Sequence, residues 1–449
     1  MAHKNTRYKK ITTFKFFVLL LSSFTLLSTS IGIIADHSTP HSLEKSPVVE
    51  KIIIKGLKRT KEHVVRRELL FTENDALTPQ LLLASVQRLK NLRLFSKVLP
   101  FLKLKDQNQV ELTIELQEKW TTIPFFNFSG GGDTFYAYAG VYDINTFGTF
   151  FETGARYDNW NGKNGGVVWF RNPRTFEQRI LTGADLWSTT RPRILYTRDG
   201  EKQGEYILNQ KKFNFLLSRE FKEWLNLGLT FGFSQDEIID TVLTNEIDPT
   251  TLALVNNTNR SNELSVTFSL KLGKLNYDNY LVSGKQSIFN VKYAGSETGS
   301  EKDLLNVEWK NTVFWRLPHK SNIGFRFLAG ATDTSNIQNY HYIGGFENVR
   351  GYFDGQFRSK AYWQLNTEYR IPSYQSDWVV LQHIFFIDAA NAANQLDDLT
   401  RLEDTIYSAG TGVRLISPKV YSFNARLDIA LLTSQKASSF ISFGAQQFF

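Results

Sequence analysis

Arg350 stands between Val349 and Gly351-Tyr352, in the middle of a long polar connection running from 332 to 360. A guanidinium keeps its charge at any ordinary pH and presents a planar fork of donors. Placed in a loop between strands and turned inward, it needs a buried acceptor, and a carboxylate matches its geometry. Two later strands each offer one at an inward-facing position, Glu368 and Asp388. The chemistry these residues carry is charge pairing that ties a loop inside a barrel. It is not bond making.

The remaining constellations lead nowhere catalytic. His383 and Asp388 fall on one predicted strand with opposite parity, so they face opposite sides of the wall. His341, between Tyr340 and Tyr342, has no second histidine at ligand spacing. Gly130-Gly131-Gly132 lacks the Lys-Ser/Thr and the helix of a phosphate loop and reads as a hairpin turn. Asn256-Asn257-Thr258 and Asn259-Arg260-Ser261 match a glycosylation sequon, here by chance in a polar loop. With no cysteine, a disulfide scaffold, a thiol nucleophile and a Cys-ligated metal are excluded. The expectation is a protein without enzymatic activity, metal or cofactor.

These residues need elements to position them, and composition says which. Aromatics make up 14% of the chain, which favours strands and interfacial girdles. No window beyond the N-terminus holds enough consecutive apolar residues for a membrane helix. Residues 1–35 read as a secretory signal: Lys4, Arg7, Lys9, Lys10 and Lys15 precede an apolar run from Phe16 to Ile34, with cleavage at Ala35 or Ser30. Those five charges account for most of the net +8, so the basic balance is no argument for nucleic acid.

Residues 36–47 form a polar, Pro-containing linker, and 48–120 read as a small β-α-α-β-β domain. Thr60 is expected to cap a first helix through Leu70, and Thr78-Pro79 opens a second. From 121 to 449 the pattern becomes strict alternation. Leu305, Val307, Trp309, Val313 and Trp315 alternate with Asn306, Glu308, Lys310 and Thr312, and Ala361–Ile371 and Phe423–Leu431 repeat the theme. Charges opposite Trp, Phe and Leu suit a wet lumen and a lipid exterior. Sixteen antiparallel strands fit, with short turns at one end and long loops at the other. The longest loops are Gln235 to Asn262, Thr332 to Ser359 and Ala390 to Asp404. The last strand runs from Ser439 to Phe449.

Taken together, these residues resemble the BamA-like superfamily of outer-membrane assembly and translocation barrels. Val349-Arg350-Gly351-Tyr352 matches the family's loop motif. Support comes from Glu368 in Asn366–Arg370, Asp388 in Phe386–Ala389, Gly410–Arg414 and the Tyr142–Thr149 turn. The first domain resembles a polypeptide-transport-associated (POTRA) domain, with Gly56 after its first strand and Leu94-Phe95 after its second helix. Only one such domain is visible, where the assembly subunit has several and two-partner secretion transporters have two. The resemblance implies an α+β POTRA domain in the periplasm followed by a 16-stranded transmembrane barrel in the Gram-negative outer membrane.

Arg350 is then expected to pair with Asp388 and Glu368 in the lumen. Unfolded outer-membrane or exported client proteins are expected to bind by strand addition at POTRA edges bearing Val49, Ile52, Ile54, Phe95 and Val98. A lateral seam would open between a first strand with Ile123, Phe125 and Asn127 and a last strand with Ile441, Phe443, Gly444 and Phe449. The other expected partners are the lipid bilayer and lipopolysaccharide, with periplasmic chaperones or accessory lipoproteins. The alternatives are a dedicated two-partner-type secretion pore and a passive channel or structural surface protein.

Overall fold

A computed structural model describes residues 46–445, except 107, 132–133, 161, 245–246, 248, 257–259, 335, 346 and 433–438. The expected signal, most of the linker, the sequon residues at 257–259 and Phe449 lie outside the described residues.

The described residues open with a three-stranded sheet and two helices. β1 (Val48–Lys55), α1 (Glu62–Arg66), α2 (Pro79–Asn91), β2 (Phe95–Asp106) and β3 (Gln109–Glu118) follow in order. β3 lies in the middle, parallel to β1 and antiparallel to β2. Alternation along β3 buries Val110, Leu112, Ile114 and Leu116 against Val64, Val65 and Leu89 of the helices. Thr78 caps α2, its hydroxyl accepting from Leu81 N at 3.2 Å, and Pro79 occupies the first turn.

The first helix departs from expectation. It covers only Glu62–Arg66, its cap position is Lys61, and no side chain caps it. Thr60 is occupied elsewhere: its amide donates to Glu118 Oε1 at 2.7 Å and its hydroxyl accepts from Asn145 Nδ2 at 2.9 Å. A hydroxyl committed to a tertiary partner is not free to cap.

Sixteen further strands form one antiparallel sheet. They are β4 (Thr122–Gly131), β5 (Thr134–Thr146), β6 (Phe151–Trp160), β7 (Lys163–Asn172) and β8 (Ile180–Tyr196). β9 (Lys202–Lys222), β10 (Leu225–Leu243), β11 (Arg260–Asp278), β12 (Leu281–Ala294), β13 (Leu304–Leu317) and β14 (Ser321–Thr332) continue it. A small hairpin, β15 (His341–Ile343) with β16 (Phe357–Ser359), interrupts the order. β17 (Ala361–Gln375), β18 (Val380–Ala393), β19 (Ile406–Ile416), β20 (Asn424–Leu432) and β21 (Ser439–Ala445) complete it. The strand order runs from β21 to β4, which are its two edges.

Two of the expected loops are shorter than the sequence suggested. β10 and β11 stay paired from Gln235↔Asn262 to Glu237↔Arg260, and the connection carries a helix, α3 (Pro249–Asn256). β18 runs on to Ala393 before its loop. In the upper part of β10 the alternation is broken, with Ile238 beside Ile239 and Val242 beside Leu243, so periodicity gives no strand signal there.

Burial is inverted relative to a water-soluble domain. Glu368, Asp388, Asp428, Arg370 and Arg414 are buried, while Leu365, Tyr369, Phe385, Ile387, Leu427 and Leu431 beside them are exposed. Polar residues inside and apolar residues outside describe a wall made to stand in lipid. That wall curls. The 333–360 loop reaches Tyr206 on β9, whose hydroxyl lies 2.8 Å from that of Tyr342, and also Asp388 on β18. Those strands stand seven places apart, roughly 34 Å along a flat sheet at about 4.8 Å per strand. At the rim beside the first domain, Trp120 just before β4 exchanges backbone bonds with Lys419 and Tyr421 in the β19–β20 turn, each 2.8 Å.

Candidate functional site

The loop enters between strands through glycine-rich backbone and places Arg350 wholly out of solvent. Its Nε and Nη2 donate to the two oxygens of Asp388, each at 2.8 Å, a bidentate fork. Nη1 donates to Glu368 Oε1 at 2.6 Å, and the backbone amide of Arg350 adds a bond to Asp388 Oδ2 at 3.1 Å. The guanidinium lies 3.5 Å from the ring centroid of Phe386. Burial alone would loosen its proton, but Asp388, then Glu368 and Asp428, more than offset this and raise its pKa above the ordinary arginine value.

Gly351 follows at φ +93, a conformation that L side chains rarely adopt. A Cβ there would stand 2.8 Å from Leu432 Cδ2 and 3.1 Å from Ala430 Cβ, so it also allows the loop to touch β20. Val349 and Tyr352 are buried in a cluster with Phe357, Ala390 and Ile406, and Tyr352 donates its hydroxyl to Tyr407 O at 3.0 Å.

Several partners carry no individual signal in the sequence. Asp428 on β20 accepts from Arg414 at 2.5 Å, and Arg414 also reaches Glu368 at 3.2 Å. Arg370 holds the second oxygen of Glu368 at 2.7 Å. Arg326 reaches the carbonyl of Glu347 at 2.9 Å, and the amides of Gln364 and Asn366 donate to Asn348 O. One loop is thereby fastened to β14, β17, β18, β19 and β20. Their inward parity was visible in the alternation, but cross-strand register decides which charge meets which. His383 is exposed on the outer face, opposite the buried Asp388.

A second set of contacts docks the first domain on the barrel. Glu68, buried just after α1, accepts from Arg88 of α2 at 2.8 Å and from Arg174 in the β7–β8 turn at 2.7 Å. Arg59 pairs with Asp143 of β5 and donates to Thr121 at 3.0 Å, and Arg67 pairs with Glu177 at 3.0 Å. The Tyr142–Thr149 turn serves this contact: Gly148 O accepts from Lys61 N at 2.8 Å. α2 meets the end of β11 through Asn91 and Asn276, 3.1 Å apart.

β1 and β2 are the two edges of the POTRA sheet, with β3 between them. Val49, Ile52, Phe95 and Val98 have their side chains in the core, because register shifts between Val49 and Lys51 and between Phe95 and Lys97 bring positions three apart onto the same face. β1 is an edge strand, yet its own chain covers part of it. Val49 N bonds Asp75 O, Val49 O accepts from Asn74 N, and Ile52 N donates to Glu73. Ile54 packs half-buried against the same core. β2 is the other edge, with Leu99, Phe101, Leu102 and Leu104 exposed and Pro100 in its middle, where proline suits only an edge.

At the seam, Ile123 is buried and Phe125 half-buried, its ring 5.7 Å from that of Tyr142. Asn127, Ile441, Phe443 and Gly444 are placed by backbone only, the last three in β21 opposite Ile429, Leu427 and Arg426 of β20. At seven residues, β21 is the shortest strand of the large sheet among the described residues.

Comparison with known proteins agrees with this architecture. Residues 118–449 match the model of the Omp85 superfamily domain, and 47–119 match that of the surface antigen variable number repeat, the POTRA domain. The outer membrane protein assembly factor BamA of Neorickettsia risticii is 27% identical over 319 residues, 67% of this chain and 40% of that protein. A putative outer membrane protein assembly factor of Treponema pallidum is 34% identical over 102 residues, 22% of this chain and 12% of that protein. The chain thus spans less than half the length of either relative.

Among solved structures, BamA from Haemophilus ducreyi lacking POTRA domains 1–3 superposes with a TM-score of 0.53 at 15% identity, covering 90% of this chain and 85% of that one. CdiB from Acinetobacter baumannii gives 0.53 at 15% identity, covering 88% and 73%. With a family model matching most of its length, an inside-out wall and a loop held by Arg350, this chain belongs to the Omp85 superfamily, as an outer-membrane barrel with a periplasmic POTRA domain.

Proposed function

We propose that this protein inserts or translocates other proteins at the outer membrane, by offering strand edges to extended clients and without catalysing a covalent reaction. The observation that carries the reading is the position of the Arg350 contacts. They bind the loop to β17, β18 and β20, the part of the wall that leads to β21. One side of the seam is thereby stiffened, while β21 beyond it is an edge of the sheet. An edge with unpaired backbone groups can template an incoming strand whatever its sequence.

On the periplasmic side, β2 is the edge suited to a first encounter, since its outward groups are not covered as those of β1 are. The loop also argues against a passive channel, because buried side chains and their partners occupy the lumen beside β17–β20. The test is depletion of the protein followed by comparison of the outer-membrane proteome. Loss of many barrels supports general assembly, and loss of one exported protein supports a dedicated secretion route. An unchanged proteome overturns the proposal.

A further inference from the structure

A cavity of about 410 Å³ opens on the inner face of β4–β8, beside the first domain, whose core Ile144 and Tyr421 also meet. Small-molecule sites run from roughly 300 to 1,000 Å³. The floor of this one is aromatic, and two glycines let it lie flat. Trp169 on β7 covers Gly154 of β6, where a Cβ would run into the indole. Phe125 on β4 covers Gly140 of β5, where a Cβ would stand 2.5 Å from the ring's Cζ. With no side chain beneath them, both rings rest on the wall and leave a π face toward the cavity. Tyr142 links the two, its ring 5.7 Å from that of Phe125 and 6.5 Å from that of Trp169.

The charges that line the cavity are paired, with one exception. Asp185 accepts from Arg171 at 2.7 Å, from Trp187 Nε1 at 2.8 Å and from Asn214 Nδ2 at 2.7 Å. Arg156 is held by Asp158 at 2.9 Å and stands over the rings of Tyr138 and Trp187. Glu152 pairs with no cation among the described residues. Its hydrogen bond comes from the neutral indole N–H of Trp169, at 2.7 Å. Arg171 lies opposite Glu152 in the β6–β7 register, yet its guanidinium turns to β8. Arg93 stacks on Tyr421, 5.2 Å from its ring centroid, and donates to Ser422. One carboxylate left over beside three π faces suits a cation that is weakly hydrated.

We propose that this cavity binds a small organic cation of the quaternary-ammonium class. The methyl groups of its head lie on Trp169, Tyr142 and Phe125, and its charge faces Glu152. The negative face of each ring attracts such a head, and the carboxylate adds charge without demanding a hydrogen bond. Binding is read without client assembly, so its failure leaves the proposed function untouched.

The experiment is calorimetric titration of the full-length protein in a maltoside detergent, which carries no ammonium group. The ligands are choline, its neutral carbon isostere neohexyl alcohol, and glycerophosphocholine. Choline is expected to saturate the site below about 10 mM. Neohexyl alcohol should bind at least about tenfold more weakly, since it has the shape without the charge. Glu152→Gln keeps an acceptor for the indole and should weaken choline about tenfold, and Trp169→Leu should act by a similar factor. Both variants are checked for an unshifted thermal midpoint. The isostere comparison uses the parent protein and decides the matter even where a variant fails to fold.

Glycerophosphocholine binding as tightly as choline identifies a lipid headgroup as the source; binding of choline alone identifies a free cation. Either supports the site. Equal affinity for choline and its isostere, an unchanged affinity in folded Glu152→Gln, or no saturation by about 10 mM would overturn it.

Discussion

Arg350 makes a fork to Asp388, a third bond to Glu368 and a stacked contact with Phe386, so replacing it leaves the buried Asp388 without its cation, while Glu368 keeps Arg370 and Arg414. Lysine keeps the charge but not the planar fork. Arg350→Lys is therefore expected to lower the thermal midpoint of the folded barrel in detergent, and Arg350→Ala to lower it further. Breaking such a pair costs about 3–5 kcal/mol at the dry limit and less where lumen water reaches it. A lysine variant as stable as the parent would contradict this.

His341 gives a second test at the same scale. It is buried in the β15 hairpin with its ring centroid 4.8 Å from that of Tyr362, its Nε2 lacks a partner, and burial lowers its pKa to about 4. Because the folded value lies below the ordinary 6.5, its contribution to stability is full above pH 6.5. It is lost as pH falls from there through 4. Hydrogen exchange of the loop should accelerate over that window, and His341→Phe should remove the acceleration; identical profiles would refute the assignment. The roles of Glu368 and Asp388 were legible because parity and motif coincide. Asp428 and Arg414 share that parity, but the register that pairs them is a property of the assembled sheet.

At the level of elements, the contact between POTRA domain and barrel rests on the Asn145–Thr149 turn and on Glu68. Gly148 has φ +73, and a Cβ there would lie 2.0 Å from Arg59 O. Gly148→Ala should thus loosen the docked domain while leaving the barrel folded. Faster proteolysis near Lys119-Trp120, with an unchanged barrel midpoint, is the expected result, and Glu68→Gln should act in the same direction. Cleavage at the parent rate would show that the turn does not hold the domain.

The sequence made the β-α-α-β-β order readable through alternation and the Thr78-Pro79 start. It misassigned Thr60, because a hydroxyl's choice between a cap and a distant asparagine is made by tertiary contacts. The covering of β1 by residues 73–76 was equally invisible, since it uses backbone groups that carry no residue signature.

At the level of the whole molecule, the inverted burial pattern was the most legible property, because lipid and lumen impose opposite demands on alternate residues. The upper parts of β10 and β11 were not, as strands beyond the bilayer need no apolar face. The wall is uneven: β8 to β11 have 17 to 21 residues each. About 9–11 tilted residues suffice to span a bilayer, so β8 to β11 rise well beyond it. The central claim, that clients are handled through this seam, can be tested directly because the chain has no cysteine of its own. One cysteine in β4 and one in β21, placed to face each other, form a single disulfide across it. The account predicts that oxidation stops client assembly and that reductant restores it. Assembly at the parent rate with the strands locked would contradict it.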